Sequence, residues 1–180
     1  IYTSKNTLSL HDALPICNYN PYDFYGYMNN YNMDYNMNYN RVTPPYIKDY
    51  GAEPFVINIE EATRRNNNFR TALWTGKHLQ ITLMNIKVGE SIGLESHSNL
   101  DQFIRIEQGV GLVQMGDNKN NLNYERTVYD NYAIVIPAGK WHNLTNIGNV
   151  PIKLYSIYAP PNHPKGTVHR TKEDAEHESK

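Results

Sequence analysis

The chain of 180 residues is long enough for one ordinary domain and a tail, and its 39% hydrophobic fraction is enough for one packed core. A formal net charge of -1 and a pI near 6.7 exclude the strongly basic surface on which a phosphate-backbone binder depends, so nucleic acid is not an expected partner. The lone cysteine, Cys17, closes no internal disulfide and offers no metal-ligand spacing, and no window nears the ~18 apolar residues of a membrane span, so a cytoplasmic protein without a membrane partner is expected.

The first 16 residues differ in texture from all that follow. The chain opens on Ile1, and Ser9-Leu-His-Asp-Ala-Leu-Pro-Ile16 looks like translated sequencing-adapter read-through, so residues 1–16 are expected to be a non-native segment. Residues 17–49 form a second region, rich in Tyr, Asn and Met up to about residue 40, with a loose beat at Tyr27, Tyr31, Tyr35 and Tyr39. Residues 18–40 lack Leu, Ile and Val, so they cannot bury enough aliphatic surface to offset the entropy of ordering. A disordered tail is the expectation; the alternative is self-association, because Tyr/Asn tracts adhere.

Pro44-Pro45 then punctuates the chain, and the folded domain is expected over residues 50–165. Residues 55–59 (Phe-Val-Ile-Asn-Ile) read as a first strand and residues 60–64 as a helical turn. Strand-like segments follow at 69–75, 78–88, 101–107, 110–115, 122–129, 132–136, 142–147 and 152–158, and nearly all their connectors carry Gly, Pro, Asn or Asp. Many short strands with no long amphipathic helix predict an all-β fold, an antiparallel sandwich or closed barrel. Pro160 and Pro161 end the last strand, since proline removes the ladder donor, and residues 166–180 are expected to be a polar C-terminal tail, solvated or with one helical turn.

The chemistry concentrates in residues 89–109. Glu95 and His97 stand two apart, so on an extended segment both side chains leave the same face and begin a chelate. Gly89 is followed by five residues and then Glu95-Ser-His97; four residues lead on to Gln102, and six more to Gly109. Further along, Pro137, Gly139, His142 and Asn146 fit the pattern Pro-x-Gly-x-x-His-x-x-x-Asn. This double pattern resembles the two motifs of the cupin superfamily over roughly residues 50–165, with Asn131 where the second motif usually opens on Gly.

The resemblance implies a cupin-type double-stranded β-helix, a jelly-roll barrel, and a metal held by Glu95, His97, Gln102 and His142. Glu95 takes the place of the first His and Gln102 that of the usual Glu, so the set is two imidazoles, one carboxylate and one neutral carbonyl oxygen. It suits a divalent transition metal: Zn, Mn, Fe or Ni. Gln102, uncharged, has the alternative role of a hydrogen-bond donor behind the ligands.

Other residues carry structural expectations. Gly89, Gly109, Pro137 and Gly139 shape turns, and Asn146 ties down a loop. Arg105 falls on the strand face opposite Gln102, while Ile104 and Ile106 share the Gln102 face. Phe103, Trp141, Trp74 and Tyr132 are expected in the core or cavity wall. His78 is expected at the surface, and His163, His169 and His177 are expected to be solvated. No Lys/Arg cluster flanks the motifs to grip a phosphate, and no general base stands out.

Because this fold hosts many chemistries, three functions are in view. The first is a metal-dependent isomerase acting on a small polar, sugar-like molecule, similar to the mannose-6-phosphate isomerase-like cupins. The second is an Fe(II)-dependent dioxygenase, and the third a non-catalytic coat or scaffold protein assembling through its Tyr/Asn-rich tail. A homodimer through a sheet edge is a further expectation. A chain lacking residues 18–40 is expected to keep the melting temperature and oligomeric state of the full chain; loss of a higher-order assembly on that deletion would instead support the scaffold reading.

Overall fold

The computed structural model describes residues 46–178. The non-native segment and most of the Tyr/Asn-rich tail expected from the sequence lie outside the described residues. Among the described residues a helix α1 (Ile59–Arg65) precedes nine strands: β1 (Arg70–Thr75), β2 (Gln80–Ile86), β3 (Asp101–Gln108), β4 (Gly111–Gly116), β5 (Tyr124–Val128), β6 (Ala133–Ile136), β7 (Trp141–Asn146), β8 (Ile152–Ala159) and β9 (Val168–His169). A second helix, α2 (Lys172–Glu178), follows. The strands form a six-stranded sheet, ordered β6-β3-β8-β2-β1-β9, and a three-stranded sheet, ordered β5-β4-β7. All pairings are antiparallel, as expected of an all-β sandwich.

Strand alternation zones the interior. Across the large sheet, Gln102, Tyr158 and Gln80 are register partners in one row, and Ile104, Ser156 and Thr82 in the next. Ile106, Leu154 and Met84 form a third row, and Ile152 pairs with Ile86 beyond it. The interior thus passes from polar at one end to aliphatic at the other. The aliphatic end joins Val113, Val128 and Leu144 of the small sheet in the main core. Removing one such side chain, Leu154 for example, costs about 2–5 kcal/mol.

The outer face of the large sheet is also covered. Leu73 and Leu83 point outward, and Ala62 of α1 packs on them with Phe55, Ile57 and Ile59 at the edge of the cluster. Residues 55–58 are therefore not the expected strand: their apolar alternation seats them on the sheet without ladder hydrogen bonds. Asn58 then caps α1, its side chain accepting from the Glu61 N–H at 3.1 Å, with acidic residues in the first turn and basic ones in the last.

The C-terminal stretch takes the helical alternative of the expected polar tail and adds a short strand before it. Val168–His169 pairs with β1, and α2 begins at a capping box: Asp174 Oδ2 accepts from the Thr171 N–H at 3.1 Å, while Thr171 Oγ1 accepts from the Asp174 N–H at 3.3 Å. The Thr171-x-x-Asp174 spacing was the readable signal.

Two motif positions are explained by their backbone. Gly109 sits at φ 103°, where an added Cβ would stand 3.0 Å from Ile152 Cα. Asn131, in place of the second motif's opening glycine, takes φ 70°, a conformation Asn enters more readily than most residues. Asn146 does tie down its loop: its Nδ2 donates to the carbonyls of Ile86 (3.0 Å) and Val150 (2.9 Å), and its Oδ1 accepts from Gly148 N–H at 2.9 Å.

Of the four aromatics expected in the core or cavity wall, none is fully buried, and Trp74 lines a pocket on the outer face with Phe55 and Ile57. Strand parity puts Phe103 on the outer face, half-buried against Tyr155, because Gln102 and Ile104 face in. Trp74 and Trp141 are half-buried and Tyr132 is exposed. Arg105, on the outer face as expected, pairs with Glu107 at 3.1 Å.

Asp49 clamps the start of the domain. Its carboxylate accepts from the N–H groups of Gly51 (2.9 Å), Thr75 (3.0 Å) and Gly166 (2.9 Å) and from the Thr75 hydroxyl (2.6 Å). Partial burial opposes ionisation, but the Thr75 hydroxyl and the three N–H donors outweigh it and hold the carboxyl below its ordinary value of 3.8. A folded-state value below the unfolded one stabilises the fold above the unfolded value, and this contribution is lost as pH falls through the folded value. Urea unfolding of Asp49→Ala is expected to show a loss of about 1–2 kcal/mol at neutral pH, shrinking below about pH 4.

Candidate metal centre

The centre is built by one reciprocal backbone contact. Glu95 N–H donates to the His142 carbonyl at 3.0 Å, and His142 N–H donates to the Glu95 carbonyl at 2.9 Å. Two residues exchanging both bonds send their side chains to the same face. His97, two residues on, shares that face, and its carbonyl accepts from the Gly139 N–H at 2.7 Å, fastening the turn of the second motif onto the first.

Glu95, His97 and His142 consequently converge, with one ligand atom from each lying within 4.8 Å of the others. Glu95 Oε1 is 3.5 Å from His97 Nε2 and 3.4 Å from His142 Nε2. These spacings are wide for N–H···O bonds, yet close to the roughly 3.4 Å that separates donors each ~2.1 Å from a shared tetrahedral ion.

The polar surroundings leave the lone pairs free. His142 Nδ1 lies 2.9 Å from the Lys140 carbonyl, which only accepts, so the proton sits on Nδ1 and Nε2 presents its lone pair. His142 Nε2 and His97 Nε2 are both buried without a hydrogen-bond partner. Gln102 is 2% exposed on the inner face of β3; its Nε2 donates to Ser156 Oγ at 3.0 Å, leaving the buried Oε1 without a partner. A buried lone pair on His142 Nε2 and a buried carbonyl oxygen on Gln102, with the unpartnered His97 Nε2 beside them, are costly unless something electropositive meets them, and a divalent cation fits that need.

Burial disfavours the charged form of Glu95, but its contacts with the His142 and His97 rings, which hold the anion when the facing nitrogen is protonated, and the positive field of Arg70 outweigh it, keeping its carboxyl well below the usual carboxylate range. The group is thus an ionised donor at neutral pH, and the three residues could hold a metal ion. Of the four ligands expected from the sequence, Glu95, His97 and His142 are brought together, and Gln102 stands on the polar end of the interior.

A cleft of about 780 Å³ opens on Glu95 and His97, and it carries residues for which no chemical role was foreseen: Arg70, His163, His169 and Lys172. His163 and His169 are not solvated as expected. The proline-rich exit turns back over the barrel mouth, pinned by buried Gln80, whose Nε2 donates to the His163 carbonyl (2.8 Å) while its Oε1 accepts from the His163 N–H (2.9 Å). His163 therefore meets Tyr158 edge-on, ring centroids 5.2 Å apart. Burial first, then the charge of Arg70, lowers its pKa to about 3, so the ring is neutral. His78 is exposed, as expected. The cationic residues come from β1 and α2, far from the motifs in sequence, and no local pattern marks them.

The cupin domain family model matches residues 82–158. YrkC of Bacillus subtilis (strain 168) is 67% identical over 129 residues, spanning 72% of this chain and 69% of that protein. L612 of Acanthamoeba polyphaga mimivirus is 39% identical over 115 residues, or 63% of this chain and 70% of that one. The crystal structure of BH2720 from Bacillus halodurans superposes with a TM-score of 0.72 at 62% identity, covering 73% of this chain and 99% of the other.

Metal titrated into the apoprotein is expected to bind at one ion per chain. Glu95→Ala, His97→Ala and His142→Ala are each expected to lose stoichiometric metal by elemental analysis, and Gln102→Ala to weaken affinity by roughly 10–100-fold.

Proposed function

This chain belongs to the cupin superfamily, and from that premise we propose that it is a metal-dependent isomerase acting on a small polar, sugar-like molecule, with one divalent transition metal held by Glu95, His97, Gln102 and His142. The observation that carries the reading is the set of buried, unpartnered ring nitrogens of His97 and His142 and amide oxygen of Gln102 beside an ionised carboxylate, at the head of an open cleft. A bound metal supplies Lewis-acid polarisation of a substrate carbonyl or hydroxyl oxygen.

The remaining work falls to the chain's own residues. Glu95 brings one negative charge, and Gln102, its Nε2 donating to Ser156, presents its amide oxygen. Asn162 Nδ2 lies 3.3 Å from His163 Nε2; as a donor it leaves the His163 proton on Nδ1. A neutral imidazole in the cleft wall can exchange hydrogen bonds with a substrate hydroxyl and relay a proton without adding charge to the site. The exit held by Gln80 brings this ring to the mouth of the barrel.

A second reading, an Fe(II)-dependent dioxygenase, is favoured by the same two imidazoles and one carboxylate. Metal analysis with turnover assays under argon and under air separates the two. The isomerase reading expects aldose–ketose interconversion under argon with zinc or manganese bound, and a loss of about a hundredfold or more in kcat for His163→Ala. Iron in the purified protein with substrate-dependent oxygen uptake would overturn it in favour of the dioxygenase.

A further inference from the structure

We propose that Arg70, with Lys172 on the same cleft, forms an anion-binding subsite beside the Glu95–His97–His142 centre, so that the substrate carries a carboxylate or phosphate group. The inference deepens the metal-site reading and rests on it for the position of the reacting atoms.

Arg70 opens β1 and is 5% exposed. Its guanidinium carries five N–H donors and no acceptor. Nη1 lies 3.4 Å from His169 Nδ1, and the guanidinium carbon stands 5.5 Å from the centroid of the Phe69 ring. Nε is buried with no hydrogen-bond partner. Among the described residues no carboxylate lies within the 4.0 Å of an ion pair with Arg70, although Arg105, Arg64 and several lysines have one. A buried arginine normally has a carboxylate or phosphate on its fork.

The position of Arg70 gives the missing anion a place. Its charge is felt at Glu95 and His163, which line the cleft with it, and at buried Tyr158, against which the His163 ring packs. Lys172 approaches from α2, its Nζ 3.2 Å from Ser91 Oγ and 4.0 Å from Glu176 Oε1. With a divalent ion in place, the metal, Arg70 and Lys172 outweigh Glu95 and Glu176, and the cleft carries a net positive charge. An anionic group on Arg70 would offset the cost of keeping its guanidinium buried and leave the rest of a small molecule directed at the metal centre. A role confined to balancing the charge of Glu95 does not account for the unused Nε, because the two groups form no ion pair.

The test uses the full chain, metal-free and manganese-loaded, titrated by calorimetry with inorganic phosphate and separately with malonate. Wild type is expected to bind at least one of them, the tighter anion naming the group. Arg70→Met is expected to weaken that binding by about tenfold or more, with Arg70→Lys recovering part and Lys172→Met losing less. Metal content and melting temperature should match wild type in all three. Should Arg70→Met fail to fold, Arg70→Lys and Lys172→Met carry the comparison. Absence of anion binding by wild type in both forms, or equal binding by the Arg70 variants, overturns the subsite. If the protein takes up no metal, the metal-site reading falls, while the effect of Arg70 on the metal-free protein still decides the subsite.

Discussion

The site depends on the reciprocal backbone pair between Glu95 and His142. The two residues are far apart in sequence, and neither lies where a local turn would bring it to the other. Two N–H···O=C bonds fix the register in which the first motif crosses β7. Because side chains alternate along extended chain, that register decides at once that Glu95, His97 and His142 all face inward; a slip of one residue would turn them out. The Gly139-to-His97 bond secures the same register from the other end of the motif.

The zoning of the interior follows from the same alternation. Inward positions of β2, β3 and β8 are polar near the mouth and aliphatic below it, so the aliphatic rows can supply the core while the polar rows serve the site. The polar end still leaves ring nitrogens of His97 and His142 and the amide oxygen of Gln102 unpaired, and a donor unpaired on Arg70. Folded proteins seldom keep so many together without a ligand to meet them. The acceptors and the donor call for opposite charges, a cation on one side and an anion on the other. That division is what ties the metal centre and the cleft into one binding site.

Much of this was legible in the sequence. The two motifs located the inward-facing triad because their spacing encodes strand register, and Asn131 replaced a glycine at a position where the backbone needs a positive φ, which Asn tolerates. The Gln102 face was readable from parity alone. What escaped was whatever depends on three-dimensional neighbours. Residues 55–58 alternate like a strand but have no partner edge. His163 and His169 read as solvated because the fold-back of the exit rests on Gln80, distant in sequence. Arg70 and Lys172 meet the cleft from opposite ends of the domain, so no window of sequence holds them together.

The most direct test of the account is an anomalous-scattering crystal structure of the protein loaded with zinc or manganese. A single anomalous peak is expected about 2.0–2.3 Å from His97 Nε2, His142 Nε2 and a Glu95 carboxylate oxygen, with Gln102 Oε1 turned toward it. A fully loaded crystal with its peak elsewhere, or with His97 and His142 Nε2 still unligated, would contradict it.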